Sequence, residues 1–232
     1  MVFGGKDEDI KMIYQLKFKK EDGAKIFFIS DLHIGHAKLL ESRGFSTIED
    51  HNNTIISNWN SVVDNDSTVF MLGDMVLGAG DKSFETYYNL LNILNYKRLY
   101  ICSGNHHAAL KKLWEMAKLN NEPIDDFYRK SLYLEDKNKK VYFIPNYYEI
   151  FIGVTPVILS HYPIISFNGQ RAGAIFLHGH SHNSLHKTEW LENNYYKGKV
   201  MDVGYEGIKK PISFNEIKEI MDKKEIVTFD HH

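Results

Sequence analysis

Short apolar runs at residues 13–18, 25–29, 68–72 and 98–102 alternate with stretches in which apolar residues return every three or four positions. The runs read as buried strands and the periodic stretches as amphipathic helices. A turn at Glu21-Asp22-Gly23 divides the first two runs. Ser46-Thr47-Ile48-Glu49 has the form of a capping box, and Ile48, Ile55, Trp59, Val62 and Val63 follow at helical spacing to about residue 64. A second helix is predicted over 82–94, with Phe84, Tyr87, Tyr88, Leu91 and Leu94 on one stripe; Leu110, Leu113, Trp114 and Ala117 mark a third. Strand–helix alternation of this kind implies a parallel sheet with right-handed crossovers.

Beyond residue 120 the pattern changes. Residues 120–140 are polar, include Pro123 and read as an insertion with weak helical content. Apolar residues then alternate over 141–151, 154–159 and 174–177, with a turn at Gly153, which predicts a second, largely antiparallel sheet. Ser213-Phe214-Asn215-Glu216 caps a last helix carrying Ile217, Ile220 and Met221. The expected architecture is two sheets with helices outside. With no repeat, no linker-like tract and five prolines in all, residues 13–230 read as one domain behind a polar extension over 1–12.

Composition narrows the function classes. A net charge of −2, from 28 basic and 30 acidic residues, provides no strong field for nucleic acid or anionic membrane. No apolar run is long enough to span a bilayer, and the first residues lack a signal-type apolar segment, so a cytoplasmic protein is expected. The twelve histidines against one cysteine point to nitrogen and oxygen ligands and exclude a thiolate cluster.

The positions of those histidines are more informative than their number. Five predicted strands end in acid–base or metal-type side chains: Ser30-Asp31-Leu32-His33, Gly73-Asp74, Ser103-Gly104-Asn105-His106-His107, Ser160-His161 and His178-Gly179-His180-Ser181-His182. Taken singly, each has an ordinary explanation as a turn, a helix cap or a core histidine. Five in succession, each beside a Gly or Ser, point to one site beyond the carboxyl ends of the strands, where open α/β folds bind ligands.

These blocks resemble the signature of the calcineurin-like metallophosphoesterase superfamily, in order and spacing, from about residue 25 to 222. The likeness is nearest to small stand-alone bacterial and phage members, as in Ser30–Gly35-His36, Asn58-Trp59-Asn60, Leu159–Pro163 and Met201-Asp202-Val203-Gly204. The resemblance implies a four-layer αββα sandwich of two mixed β-sheets flanked by helices, with a binuclear metal site at the strand C-terminal ends. It assigns Asp31, His33 and His182 to one ion, Asn105, His161 and His180 to the other, and Asp74 as the bridge. His106 takes the place of the catalytic histidine beside the leaving oxygen. The implied chemistry is in-line attack on phosphorus by a hydroxide shared between the ions.

Mixed nitrogen and oxygen donors without thiolate suit Mn²⁺, Fe, Ni²⁺ or Zn²⁺ alike, and Mn²⁺ is the ion expected to support activity. His107 stands where the family usually has an acidic residue that orients the catalytic histidine. His36 and His178 border the blocks as outer partners of the ligands or as packing residues. Gly73-Asp74-Met75 lacks the Asp-Arg-Gly triplet of protein phosphatases, which favours phosphodiesters of a small substrate. Phosphomonoesters, nucleic acid and a non-catalytic scaffold role follow in that order. Of four arginines, Arg43 and Arg171 lie in loops near the blocks and are the candidates for gripping phosphate. Oligomeric state is not legible.

Overall fold

The computed structural model describes residues 16–78, 80–106, 108–119, 131–134 and 138–229. Its strands are β1 (Leu16–Phe18), β2 (Ile26–Ile29), β3 (Thr68–Met71), β4 (Arg98–Ile101), β5 (Ser131–Tyr133), β6 (Lys140–Phe143), β7 (Tyr147–Ile152), β8 (Thr155–Ser160), β9 (Ile175–His178), β10 (Val200–Asp202) and β11 (Ile212–Ser213). Its helices are α1 (Leu40–Arg43), α2 (Ile48–Asn60), α3 (Asp81–Ile93), α4 (Ala108–Leu119), α5 (Tyr205–Ile208) and α6 (Phe214–Met221). They build two mixed sheets, ordered β11-β2-β3-β4-β6-β5 and β1-β7-β8-β9-β10.

Alternation along the strands explains the layering. Phe27, Ile29, Val69, Met71, Leu99 and Ile101 face the helices, where they meet Ile55, Trp59, Leu91 and Leu113. The intervening Phe28, Phe70 and Tyr100 face the second sheet and pack with Ile150, Val157, Leu159, Ile175 and Leu177. The outer face of that sheet, with Ile158, Phe176 and Val200, is covered by Phe167, Tyr195 and Tyr196. Three apolar interfaces separate four layers, as expected of two sheets flanked by helices.

Several expectations are corrected. Residues 141–151 are not one strand: Pro145 cannot donate to a ladder, and the chain breaks there into β6 and β7. β6 joins the first sheet, parallel to β4. The second sheet is not largely antiparallel; only β7 and β8 pair that way, while β1–β7, β8–β9 and β9–β10 are parallel. Within 120–140 the described part is a strand, β5, antiparallel to β6, rather than a weak helix; residues 120–130 and 135–137 lie outside the described residues, as do residues 1–15. The cap of α2 sits one residue later than predicted, with Thr47 Oγ1 accepting from Asp50 N at 3.0 Å. The capping box of Ser213 and Glu216 forms as expected.

No helix among the described residues is long and apolar enough to cross a membrane.

The C-terminal segment is tied down by Lys224, whose Nζ donates to Tyr196 O at 2.8 Å and Val200 O at 2.7 Å. Burial pushes this amine down from 10.5 to about 8. Between those values the unfolded chain holds a proton that the folded chain has lost, so this group adds stability as pH rises through the window. Denaturant titrations at pH 8 and pH 10 should show that gain in the wild type. In Lys224→Met the gain should shrink, and an unchanged pH slope would refute the assignment.

Candidate metal centre

The expected site residues converge at the carboxyl ends of both sheets. Asp31 and His33 follow β2, Asp74 follows β3, and Asn105 and His106 follow β4. His161 follows β8, while His180 and His182 follow β9. Asp31, His33, Asp74, His180 and His182 all take φ between 49° and 66°. They are five of the seven non-glycine residues with positive φ among those described. Left-handed backbone at a non-glycine residue costs free energy, more so in clusters, and such strain concentrates at functional sites. Here it turns successive side chains inward from very short loops.

Two groups of donor atoms result. In the first, His33 Nε2 lies 3.1 Å from His182 Nε2, 3.8 Å from Asp31 Oδ1 and 3.9 Å from Asp74 Oδ2. In the second, His161 Nε2 lies 3.1 Å from Asn105 Oδ1 and 3.5 Å from Asp74 Oδ2, and His180 Nδ1 lies 3.0 Å from Asn105 Oδ1. One atom, Asp74 Oδ2, belongs to both. The other oxygen of Asp74 accepts from His106 N at 2.9 Å, which fixes the carboxylate's rotation.

The proton inventory shows that these atoms suit cations. His161 donates from Nδ1 to Leu72 O at 2.8 Å, so its Nε2 keeps a lone pair. His182 Nδ1 lies 2.8 Å from Glu206 Oε1, which likewise leaves Nε2 open. Lone pairs therefore face one another across both groups. Donors about 2.1 Å from a shared ion, at tetrahedral or right angles, stand roughly 3.0–3.4 Å apart, close to the spacings seen. Asp31 Oδ2 accepts from His180 N at 2.8 Å, while its buried Oδ1 has no hydrogen-bond partner.

Electrostatics points the same way. Burial lifts the Asp31 carboxyl to about 7, against the lowering effect of the neighbouring His182. Burial, with the neighbouring His182 and Arg43, pushes His33 down to about 2, so its imidazole is neutral and able to ligate. Burial also lowers His161. His182 runs the other way and is raised, chiefly by its bond to Glu206.

The remaining expected residues divide. His106 is half-buried with its ring 5.4 Å from that of His33, so it borders the first group of donors. His36 packs at 5.4 Å from His33 and 6.3 Å from His106. His178 is fully buried and bonds Gly179 O and the Tyr196 hydroxyl, away from the donor groups. Arg171 lines a surface depression with Tyr147, Phe167 and Asn168, and no candidate ligand contributes to that lining.

Arg43 is a correction. Its side chain is 1% exposed, and its guanidinium donates to Asp31 O, Leu32 O and Glu206 rather than being presented to a phosphate. His107 lies outside the described residues.

The sequence pattern missed Glu206, His51 and Asp202. His51 Nε2 lies 2.8 Å from Arg43 NH1. Asp202 accepts from Asn183 N, Gly204 N and the Ser181 hydroxyl, and so holds the turn that carries His180 and His182. Met201-Asp202-Val203-Gly204 was a visible signal for Asp202. Glu206 and His51 sit in unremarkable helical sequence and had none.

Comparison with known proteins shows the family and the fold. Residues 24–232 match the model of the calcineurin-like phosphoesterase family. An uncharacterized protein of Methanocaldococcus jannaschii is 30% identical over 206 residues, covering 88% of this chain and 94% of its own. The Gene 66 protein of Mycobacterium phage L5 is 27% identical, with 84% and 93% covered. Among solved structures, a protein of unknown function from Aquifex aeolicus superposes with a TM-score of 0.57 at 20% identity, over 84% of this chain and 98% of that one; it supports the fold alone.

Proposed function

The chain belongs to the calcineurin-like phosphoesterase family, and we propose that it hydrolyses phosphodiesters of a small substrate with two divalent ions, Mn²⁺ by preference. Asp31, His33 and His182 would hold one ion, Asn105, His161 and His180 the other, with Asp74 shared. The observation that carries this reading is the single oxygen, Asp74 Oδ2, within 3.9 Å of His33 Nε2 and 3.5 Å of His161 Nε2. When bound, such a pair of ions supplies Lewis acidity toward phosphoryl oxygens and activates water as the nucleophile.

The chain's own residues do the rest. His106 is anchored through its backbone N–H to Asp74, and its ring stands 5.4 Å from that of His33; from there it would protonate the departing oxygen. Tyr162, 40% exposed, packs on the rings of His180 and His161 at 4.7 and 4.9 Å. Charge supports the reading of diesters: a guanidinium fork is a strong partner for a terminal phosphate dianion, and Arg43 is fully engaged elsewhere. Both sheets complete the site, so residues 13–230 act as one catalytic unit.

Rates on bis-p-nitrophenyl phosphate and p-nitrophenyl phosphate with Mn²⁺ test the substrate class. A clear preference for the diester is expected, and a large preference for the monoester would sink it. His106→Ala should lower kcat by about 10²–10⁴ with metal content unchanged. The loss should be greater for an alkyl leaving group than for p-nitrophenolate, which needs little help from an acid. Equal losses for both would remove His106 from that role.

A further inference from the structure

We infer that Arg43 and Glu206 form a clamp that positions the first ion's ligands, tying the turn of Asp31–His33 to the imidazole of His182. Glu206 Oε1 takes the Nδ1 proton of His182 at 2.8 Å, which orients the ring and leaves Nε2 toward the ion. The same oxygen accepts from Arg43 Nε at 2.8 Å and NH2 at 2.6 Å. From there the guanidinium reaches across to the other loop, with NH2 donating to Asp31 O at 2.7 Å and NH1 to Leu32 O at 2.7 Å.

Those two carbonyls belong to the strained turn, in which Asp31 and His33 both have left-handed backbone. Strained turns persist only where surrounding contacts over-determine them, and here a planar five-donor fork supplies those contacts. His51 NE2 at 2.8 Å and the Tyr205 ring at 4.9 Å hold the fork in place. Glu206 is placed independently of any ion, because Tyr205 N donates to Ser30 O at 3.0 Å and docks α5 on the end of β2. Lysine could not substitute for Arg43: a point charge on a flexible stem cannot bond two carbonyls and a carboxylate at fixed angles.

The clamp rests on the two-ion reading of the site but not on the choice of diesters. Mn²⁺ titration calorimetry and metal content after gel filtration test it on wild type, Glu206→Ala, Glu206→Gln and Arg43→Lys. Glu206→Ala should weaken one ion by about 10–100-fold while the other is retained. Glu206→Gln, which keeps an acceptor for His182 but no charge for Arg43, should fall in between. Arg43→Lys should weaken the same ion.

Imidazole ¹⁵N spectra of the metal-free protein add a signature that a merely structural role would not move: the neutral ring of His182 carries its proton on Nδ1 in wild type and Glu206→Gln, and on Nε2 to a larger extent in Glu206→Ala. Wild-type Mn²⁺ affinities in folded Glu206→Ala and Arg43→Lys would overturn the clamp, as would a wild type that binds no Mn²⁺. A wild type that binds two Mn²⁺, loses one with Glu206→Ala and hydrolyses no phosphoester would overturn the proposed function and leave the clamp standing.

Discussion

Asp74→Asn is expected to abolish Mn²⁺-dependent hydrolysis, with kcat/KM falling by at least about 10³-fold, well past the 10–100-fold typical of outer residues around a metal. The two faces of the carboxylate make conflicting demands on an amide. Oδ1 must accept from His106 N, and Oδ2 must face the donor groups of His33 and His161. If the amide oxygen faces His106, the NH₂ points at the place of the cations. If it faces the cations, NH₂ meets N–H at His106. Neither rotamer serves, and the negative charge between two cations is gone as well. Because Asn is isosteric, the fold should survive, with an unchanged circular dichroism spectrum. Metal analysis should find fewer than two ions per chain. Two ions bound with activity within tenfold of wild type would remove Asp74 from the bridging position.

Gly104→Ala is expected to produce a comparable loss from a residue with no side chain of its own. A Cβ at position 104 would overlap Asp74 Oδ1, with Asp74 Cγ at 2.6 Å and Asp74 N at 2.8 Å. The backbone nitrogen cannot rotate away, so either the carboxylate leaves its place or the β3 and β4 loops part. Overpacking of this kind costs about 1–3 kcal/mol, and displacing the shared ligand should reduce activity by about 10²-fold or more, the upper end of outer-residue effects. Gly153→Ala is the control. It lies in the β7–β8 turn with φ of 61° and should cost about 1–2 kcal/mol from left-handed backbone, with a further close contact to Lys20 Cβ at 3.1 Å, without altering metal content. Denaturant midpoints and metal stoichiometry measured together separate the cases. Wild-type metal content in Gly104→Ala would show that the loops accommodate the methyl group.

The candidate donors were visible in the sequence because of where they fall. Each strand is a short apolar run, and the first polar residues after it are the ones the topology brings to the site. Asp31, Asp74, Asn105, His161 and His180 thus mark their own positions. Pairing was less legible, because pattern shows that a segment is buried but not which neighbour it meets. β6 and β7 read as one strand until Pro145 is given its full weight, and the parallel pairing of β1 with β7 joins segments some 130 residues apart. The pairing of Arg43 with Glu206 was opaque for the same reason: the two bond across a separation of 163 residues, so Arg43 stood out as a phosphate candidate and Glu206 did not stand out at all.

The distribution of ligands over both sheets also sets the moment at which the protein can acquire its ions. As the chain emerges during synthesis, Asp31, His33, Asp74 and Asn105 come first, and domains tend to fold from the N-terminus as they appear. Those four residues complete neither group of donors. His161, His180 and His182 arrive only with the second sheet, and the latter two depend on Asp202 to hold their turn. On the proposed assignment, metal loading would be a late event that follows folding instead of nucleating it, unlike a zinc finger that folds around its ion. A chain that stalls or is cut before residue 182 has no complete cage to keep a metal ion from being drawn away.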